Sequence, residues 1–228
     1  MKTLALETAT NAASVAIWNG EKIFSAHCDP NQPHSATFLP AVENLLTESK
    51  ITRAEINAIA VDIGPGAFTG LRHGVATAQA FALALDLPIF GVSSLKTLAF
   101  SVLEKSENAQ ILATLDARMN EIYCAVFHEN LQEISAPFLC AVDALPDLDF
   151  SKKIVAVGNV DKNYPQFVAN LKSKNVAFFS EIPRAENVAR LAIQNAAQEF
   201  TAQTIAPFYV RNKVAETSAE RAAKGFKI

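Results

Sequence analysis

Residues 2–18 read KTLALETATNAASVAIW, and residues 110–127 repeat this pattern as QILATLDARMNEIYCAVF. At an offset of 109 residues, Leu6-Glu7 coincides with Leu115-Asp116, and Ala16-Ile17-Trp18 coincides with Ala125-Val126-Phe127. Further along, Ile63-Gly64 corresponds to Val157-Gly158 at an offset of 94. A repeat of this length indicates a duplicated domain and not a solenoid.

The pattern around these segments predicts two α/β lobes of the same design, residues 1–105 and 106–228. In each lobe three short strands precede alternating helices and strands, which is typical of a mixed sheet with helices on its faces. The predicted strands are 2–7, 14–18, 22–27, 57–63, 88–92, 110–116, 120–127, 131–136, 154–157 and 175–179. The predicted helices are 35–49, 67–85, 94–105, a short patch at 142–148, 162–172 and 185–200. We expect the lobes to face each other across a cleft near residues 104–109.

Composition narrows the class of protein. Half of the 228 residues are apolar and the mean hydropathy is +0.15, so the chain can bury a sizeable core and is not disordered. The net charge of −3 argues against autonomous nucleic-acid binding, which depends on basic side chains. The longest charge-free helical stretch, residues 73–85, is too short to span a bilayer. Glu7 ends the N-terminal apolar run too early for a secretory signal peptide. Cys28, Cys124 and Cys140 form no CxxC pair, so we expect buried thiols in a cytoplasmic protein.

Two carboxylates at predicted strand ends are the first candidates for chemistry. In a duplicated fold Glu7 and Asp116 would both point into the cleft, where paired acids can bind a metal or activate water. The alternative is that each acid only accepts hydrogen bonds within the turn that follows its strand.

The second candidate is the segment Gly64–Arg72, which reads GPGAFTGLR. A glycine-rich turn between a strand and a helix can present backbone N–H groups to a phosphate, but Arg72 is its only cation and no Walker A lysine is present. The alternatives are a protein contact through Phe68 and Leu71, or tight packing against another backbone.

Histidine and serine give weaker signals. His34 has Phe38 four residues later, so a helical pair of metal ligands is not formed. No Gly-x-Ser-x-Gly motif is present, and Ser93-Ser94 most simply caps the helix that follows.

Taken together, the motifs resemble the TsaB (YeaZ) family, subunits of the machinery that installs threonylcarbamoyladenosine next to the tRNA anticodon. The resemblance covers almost the whole chain, and the combination of Asp62–Gly74 with Asp116–Tyr123 is specific to the family. The segments are Leu4–Thr10 (LALETAT) with His34-Ser35 and Leu39-Pro40, Asp62–Gly74 (DIGPGAFTGLRHG), Gly91–Leu95 (GVSSL), Asp116–Tyr123 (DARMNEIY) and Pro207–Arg211 (PFYVR). The resemblance implies a duplicated actin/Hsp70/sugar-kinase-like (RNase H-like) fold.

The resemblance also implies a non-catalytic role. The family's first strand usually ends in Asp, and the longer Glu7 displaces a carboxylate that serves the nucleotide's metal in related kinases. The related catalytic subunit, TsaD, carries paired metal-binding histidines on the helix that begins here at His34, and Phe38 replaces the second of them. We therefore expect a scaffolding subunit without a tightly bound cofactor. ATP or ADP with Mg²⁺ in the assembled complex would lie near Glu7, Thr8, Asp116 and Arg118.

The expected partners are a TsaD-like catalytic subunit, a TsaE-like ATPase subunit, a second copy of the chain in a homodimer, and tRNA indirectly through the complex. The contact would use the predicted helices 35–49 and 67–85, with the small-residue stripe Ala76, Ala80 and Ala84 allowing close helix packing. The candidate anchors are Phe38, Val42, Leu46, Phe68, Leu71, Arg72 and Val75.

Three alternatives remain open at this point. The first is an ATPase or phosphotransferase of the same fold that uses Glu7 and Asp116 with Mg²⁺. The second, a metalloprotease related by fold, needs metal ligands that the sequence lacks. The third is an auxiliary tRNA or partner contact by residues 207–228, which hold five basic and two acidic side chains; a solvated tail would have the same composition.

Overall fold

The computed structural model describes residues 1–194 and 197–211. Its strands in the first lobe are β1 (Thr3–Glu7), β2 (Ser14–Trp18), β3 (Ile23–His27), β4 (Ala58–Gly64) and β5 (Ile89–Ser93). Those that follow are β6 (Gln110–Asp116), β7 (Glu121–Phe127), β8 (Glu133–Ala141), β9 (Ile154–Gly158), β10 (Ala177–Ser180) and β11 (Gln198–Phe200). The helices are α1 (His34–Ser49), α2 (Phe68–Leu85), α3 (Ser94–Ser101), α4 (Pro165–Ser173) and α5 (Ala185–Ile193).

The strands form two sheets that share a five-strand order, and β11 adds a sixth, antiparallel strand to the first. One sheet runs β11-β5-β4-β1-β2-β3 and the other β10-β9-β6-β7-β8. In each, three strands form an antiparallel meander and the next two run parallel to its first strand. The predicted duplicated actin/Hsp70/sugar-kinase-like fold is confirmed by this topology.

The helices and sheets alternate in layers. Helices α1 and α2 cover the outer face of the first sheet, and α4 covers the outer face of the second. Helices α3 and α5 belong to one core that includes inward-facing residues of both sheets. The two lobes are therefore joined by a continuous apolar core.

Alternating side chains in the first sheet explain this arrangement. Leu4 and Leu6 of β1 point toward α1 and α2, whereas Ala5 points toward α5. Ala16 and Ala60 on the neighbouring strands lie on the same face as Ala5. These small side chains let α5 pack closely against the sheet, since successive residues of a strand point to opposite faces.

The structure corrects three features of the sequence prediction. The lobe boundary at 105/106 fails because the chain returns to the first sheet, where α5 packs on β1 and β2 and β11 pairs with β5. Residues 142–148 form turns and no helix, and the helix predicted over 185–200 ends at Ile193. Among the described residues, no helix combines the length and apolarity needed to cross a bilayer.

Candidate functional site

Glu7 ends β1 and is completely buried. Its Oε1 accepts a hydrogen bond of 2.6 Å from the backbone N–H of Ala9, and its Oε2 lies 3.5 Å from the donating Oγ of Ser14. Ser14 Oγ in turn accepts from the N–H of Ala185, 2.9 Å away, in the first turn of α5. The carboxyl group is therefore enclosed beneath α5 and does not face an open space.

Asp62, which the sequence analysis did not single out, is the second buried carboxyl group of this region. Its Oδ1 accepts from the N–H of Gly64 at 2.8 Å and from Ser94 Oγ at 2.6 Å, while its buried Oδ2 has no partner among the described residues. Burial raises the pKa of Asp62 to about 7. Burial, followed by the charge of Asp62, also raises the pKa of Glu7 well above its usual value. A lone Asp in the otherwise apolar segment 58–63 was the available sequence signal.

Asp116 occupies the equivalent position at the end of β6 but has different neighbours. Its Oδ1 accepts from the N–H of Arg118 at 2.7 Å and from Tyr164 Oη at 3.0 Å, and its Oδ2 accepts from Asn163 Nδ2 at 2.8 Å. The guanidinium group of Arg118 lies 3.6 Å from the same carboxylate. Glu7 and Asp116 share none of these partners. Each accepts a hydrogen bond from a backbone N–H of the turn that follows its strand, as the alternative interpretation expected. Each also accepts from side chains outside that turn, namely Ser14 for Glu7, and Asn163 and Tyr164 for Asp116.

A magnesium nucleotide does not fit these residues as they stand. Magnesium requires accessible carboxylate oxygens in octahedral geometry, but Glu7 is sealed from solvent and both oxygens of Asp116 already accept hydrogen bonds. Across residues 1–194 and 197–211, no group of three or more His, Cys, Asp or Glu side chains is placed to hold a metal ion.

The glycine-rich segment packs against the turn that follows β1. A Cβ atom on Gly70 would overlap the carbonyl oxygen of Thr8, and one on Gly74 would overlap the Thr8 hydroxyl. The N–H of Ala67 donates to the carbonyl oxygen of Ala9 at 2.8 Å. The chain's own backbone thus fills the space that a phosphate would need, which supports the close-packing interpretation. Thr8, which was predicted to line a nucleotide cleft, is fully buried and has no surface that could contact a nucleotide.

His34 acts locally. Its Nε2 lies 3.2 Å from the carbonyl oxygen of Asn11, and Phe38 one turn later is fully buried. Position 38 therefore belongs to the core and not to a ligand set.

Five of the seven predicted interface anchors are wrong. Phe38, Val42, Leu46, Leu71 and Val75 are buried within the chain's own core beneath α1 and α2, and they have no surface to offer a partner. The physical reason is that the apolar stripes of both helices face their own sheet.

The residues that α2 exposes are unusually apolar, whereas α1 also exposes Glu43 and Glu48. On α2 the exposed face carries Leu83, 64% exposed, the alanine stripe Ala76, Ala80 and Ala84, and Phe68, 38% exposed. We call this set, with Leu39 of α1 and with Arg72, the outer helical face. Arg72 is the one Lys, Arg, Asp or Glu residue in the 18 residues of α2.

At the N-terminal end of α2 the outer helical face continues into an aromatic cluster. The Arg72 guanidinium group lies 3.9 Å from the centre of the Phe68 ring, and its Nε donates to Tyr209 Oη at 3.1 Å. The rings of Phe68 and Tyr209 are 5.4 Å apart. Phe68 and Arg72 are thus the two predicted anchors that remain at the surface.

Residues 205–211 connect the lobes. Phe208 N–H donates to the carbonyl oxygen of Ile63 at 2.7 Å, and the Arg211 guanidinium group forms an ion pair with Glu121 at the start of β7. Arg211 also donates to Met119 Sδ at 3.4 Å, in a β6–β7 turn whose residues 118–120 are all left-handed. The segment PFYVR is one of the motifs of the family resemblance, but the sequence alone did not predict that it connects the lobes. The other four basic residues of the predicted tail, Lys213 to Lys227, lie outside the described residues.

Comparisons with known proteins complete the description of the site. A family model described as "TsaD: tRNA N6-adenosine threonylcarbamoyltransferase" matches residues 29–206. The tRNA threonylcarbamoyladenosine biosynthesis protein TsaB of Escherichia coli (strain K12) is 33% identical, with 94% of this chain and 96% of the relative covered. Its namesake from Haemophilus influenzae is 32% identical, with 92% and 94% covered. The structure of YeaZ from Pseudomonas aeruginosa superposes with a TM-score of 0.77 at 26% identity, covering 91% of this chain and 99% of that one.

Proposed function

The chain belongs to the TsaB (YeaZ) family of tRNA threonylcarbamoyladenosine biosynthesis proteins, and from this premise we propose that it is a non-catalytic subunit. It pairs with a TsaD-like catalytic subunit, which transfers the threonylcarbamoyl group to the tRNA adenosine. The observation that carries the proposal is the outer helical face, an exposed and largely apolar surface that lies mainly on α2.

The composition of the outer helical face supports the proposal that a partner covers it. A helix on the outside of a globular protein normally carries polar and charged residues on the side that meets solvent. The exposed side of α2 carries Ala76, Ala80, Leu83 and Ala84 instead. Small side chains at i, i+4 and i+8 allow the backbone of a partner helix to approach closely. Stable interfaces bury about 1,600 Å² in total, and two helical faces with the adjoining Phe68–Arg72–Tyr209 cluster are a suitable core for one.

The strand ends support a role without catalysis. Glu7 is enclosed beneath α5, and Asp116 is held by side chains of its own lobe. Neither carboxylate is available to a metal-bound nucleotide in this arrangement, which counts against the alternative ATPase or phosphotransferase. If ATP or ADP acts in the assembled complex, we expect the partner subunits to supply the residues that bind its phosphates.

The same outer helical face suits a second copy of the chain. A surface formed by two neighbouring helices of one subunit can meet its own copy across a two-fold axis. We therefore expect a homodimer that competes with the catalytic subunit. The TsaE-like ATPase and indirect contact with tRNA remain predictions from the family resemblance, and a cytoplasmic location remains a prediction from the cysteine pattern.

Co-purification tests the proposal. Leu83→Arg places a charge on the outer helical face, near the end of α2, whereas Ile134→Arg makes the same change on β8 in the second lobe, where the side chain is also exposed. A buried, unpaired charge costs several kcal/mol, so Leu83→Arg should reduce recovery of a tagged TsaD-like subunit by at least about tenfold. Ile134→Arg should leave recovery unchanged.

Two outcomes separate the candidate functions. If folded Leu83→Arg recovers the catalytic subunit as well as wild type does, the outer helical face is not the interface. If the isolated chain hydrolyses ATP and the activity disappears in Glu7→Ala, the enzymatic alternative replaces the scaffolding role.

A further inference from the structure

The turn between β6 and β7 carries side chains that its backbone conformation disfavours. Arg118, Met119 and Asn120 have positive φ angles of 62°, 54° and 59°. The N–H of Glu121 donates to the carbonyl oxygen of Arg118 and closes the turn. Hairpin turns with successive left-handed residues favour glycine, asparagine and aspartate, because other side chains crowd the backbone there. Arginine and methionine at the first two positions therefore do not serve the turn itself, and disfavoured residues of this kind are concentrated at functional sites.

Both of these side chains are exposed beside the segment that connects the lobes. Met119 is 77% exposed, the largest exposed fraction of any large apolar side chain among the described residues, and the Arg118 side chain is also largely exposed. The Arg211 guanidinium group donates to Met119 Sδ and to the carbonyl oxygen of Arg118. Phe208, three residues before Arg211, is exposed as well. We call Arg118, Met119 and Phe208 the junction surface, since they lie where the two lobes meet.

The charges at the junction surface are already balanced within the chain. The Arg118 guanidinium group lies 3.6 Å from Asp116 Oδ2, and Arg211 forms an ion pair with Glu121. Nucleic acids are bound by cations that neutralise phosphates, so arginines that are already paired suit RNA poorly. Methionine, phenylalanine and arginine are enriched in the cores of protein interfaces. The composition of the junction surface therefore favours a protein partner.

The junction surface continues the outer helical face. Tyr209, the residue after Phe208, connects the two, because its ring lies 5.4 Å from the Phe68 ring and its Oη accepts a hydrogen bond from Arg72. At about 1.5 Å per residue and a helix diameter of about 10 Å, the 18 residues of α2 offer a strip of about 27 Å by 10 Å. A stable interface takes about 800 Å² from each subunit. The outer helical face alone is therefore too small, and the junction surface is the apolar area that adjoins it.

We propose that the partner on the outer helical face also covers the junction surface and so binds both lobes of the chain. This inference rests on the proposed function, in which that partner is the TsaD-like catalytic subunit. An apolar part of the subunit packs on Met119 and Phe208, and one of its carbonyl or carboxylate oxygens accepts a hydrogen bond from Arg118. Such a contact accounts for an arginine and a methionine at positions where the turn favours other residues.

Met119→Asp tests the inference without weakening the fold. Aspartate tolerates the left-handed region better than methionine does, so the melting temperature should not fall. The variant removes the apolar contact and adds a charge to a covered surface, so its affinity for the purified TsaD-like subunit in titration calorimetry should fall at least about tenfold. Met119→Asn, which adds no charge, should lose less affinity in the same direction. Ile134→Asp makes the same change as Met119→Asp at an exposed position on β8 and should bind as the wild type does.

Leu83→Arg separates this inference from the proposed function. If Leu83→Arg abolishes binding and Met119→Asp does not weaken it, the subunit covers the outer helical face alone and the inference is wrong. If neither variant weakens binding, both proposals fail. The inference is also wrong if Met119→Asp binds the subunit normally but loses self-association in ultracentrifugation or tRNA in a filter-binding assay. A second copy of the chain or RNA would then be the occupant of the junction surface.

Discussion

Replacing Asp62 by asparagine should stabilise the protein above neutral pH and weaken the dependence of its stability on pH. In the folded chain Asp62 is buried, with one oxygen held by Gly64 and Ser94 and the other unpartnered. Its pKa rises from 3.8 to about 7 on folding. Between these values the folded state holds a proton that the unfolded state releases, so stability falls as pH rises.

The size of the effect follows from the same two values. Each pH unit is worth about 1.4 kcal/mol, so ionisation of Asp62 in the unfolded chain removes about 4 kcal/mol by pH 8, of which about 3 kcal/mol falls between pH 5 and pH 8. Glu7 acts in the same direction, because its pKa is also raised. Asparagine keeps the acceptor but adds an N–H without a partner, at a cost of about 1–3 kcal/mol. A net gain of about 2 kcal/mol at pH 8 is expected.

Urea unfolding at pH 5, 6, 7 and 8 measures this difference directly. The free energy of unfolding of the wild type should fall across the series, and that of Asp62→Asn should fall by about 3 kcal/mol less between pH 5 and pH 8. Asp147→Asn makes the same chemical change at an exposed position and should follow the wild type. Parallel wild-type and Asp62→Asn curves would refute the argument that this carboxyl group holds a proton in the folded state.

Three further predictions concern packing. Gly70→Ala, which would normally favour a helix, should destabilise the protein by about 2 kcal/mol in urea unfolding because its Cβ meets the Thr8 carbonyl group; a gain in stability would contradict this packing. Arg211→Ala should speed hydrogen exchange in the β6–β7 turn by about tenfold, and unchanged exchange would show that the turn holds its shape alone. Ser14→Ala leaves the first amide of α5 without its acceptor and should cost about 1–2 kcal/mol by calorimetry, whereas an unchanged melting temperature would count against that bond.

The duplicated fold could be predicted because it depends on short sequence patterns that occur in both halves of the chain. Strand ends such as Leu6-Glu7 and Leu115-Asp116 recur at a fixed offset, and the β1 and β6 meanders follow from alternation and turn residues. β11 could not be predicted in the same way. It is three residues long, and its pairing with β5 depends on a fold that brings residues 89 and 200 together.

The partner surface proposed from the structure lies on the two helices that the sequence indicated, but it uses different residues of them. Periodicity locates an apolar stripe, and Phe38 and Val75 lie on such stripes, but it does not say what covers them. In the structure each stripe faces its own sheet. The informative signal was the opposite face of α2, where alanines and Leu83 stand in positions that solvent-exposed helices usually fill with charged residues.

The buried acids show a different limit of sequence patterns. Asp62 is one polar residue in an apolar strand, and only the structure reveals that Ser94 and the strand end at Glu7 lie beside it. The ion pair between Arg211 and Glu121 joins residues 90 positions apart. Contacts of that kind arise from topology, which local patterns do not contain.

The return of α5 to the first sheet has a consequence for synthesis on the ribosome. The alanine face formed by Ala5, Ala16 and Ala60 is among the first parts of the chain to emerge, but the helix that covers it begins at Ala185. Domains generally fold as units during translation, the N-terminal one first. Here the N-terminal sheet must wait, with one apolar face uncovered, until the second lobe has been made. The nascent chain therefore passes through a long interval in which chaperone binding to that face would be favoured.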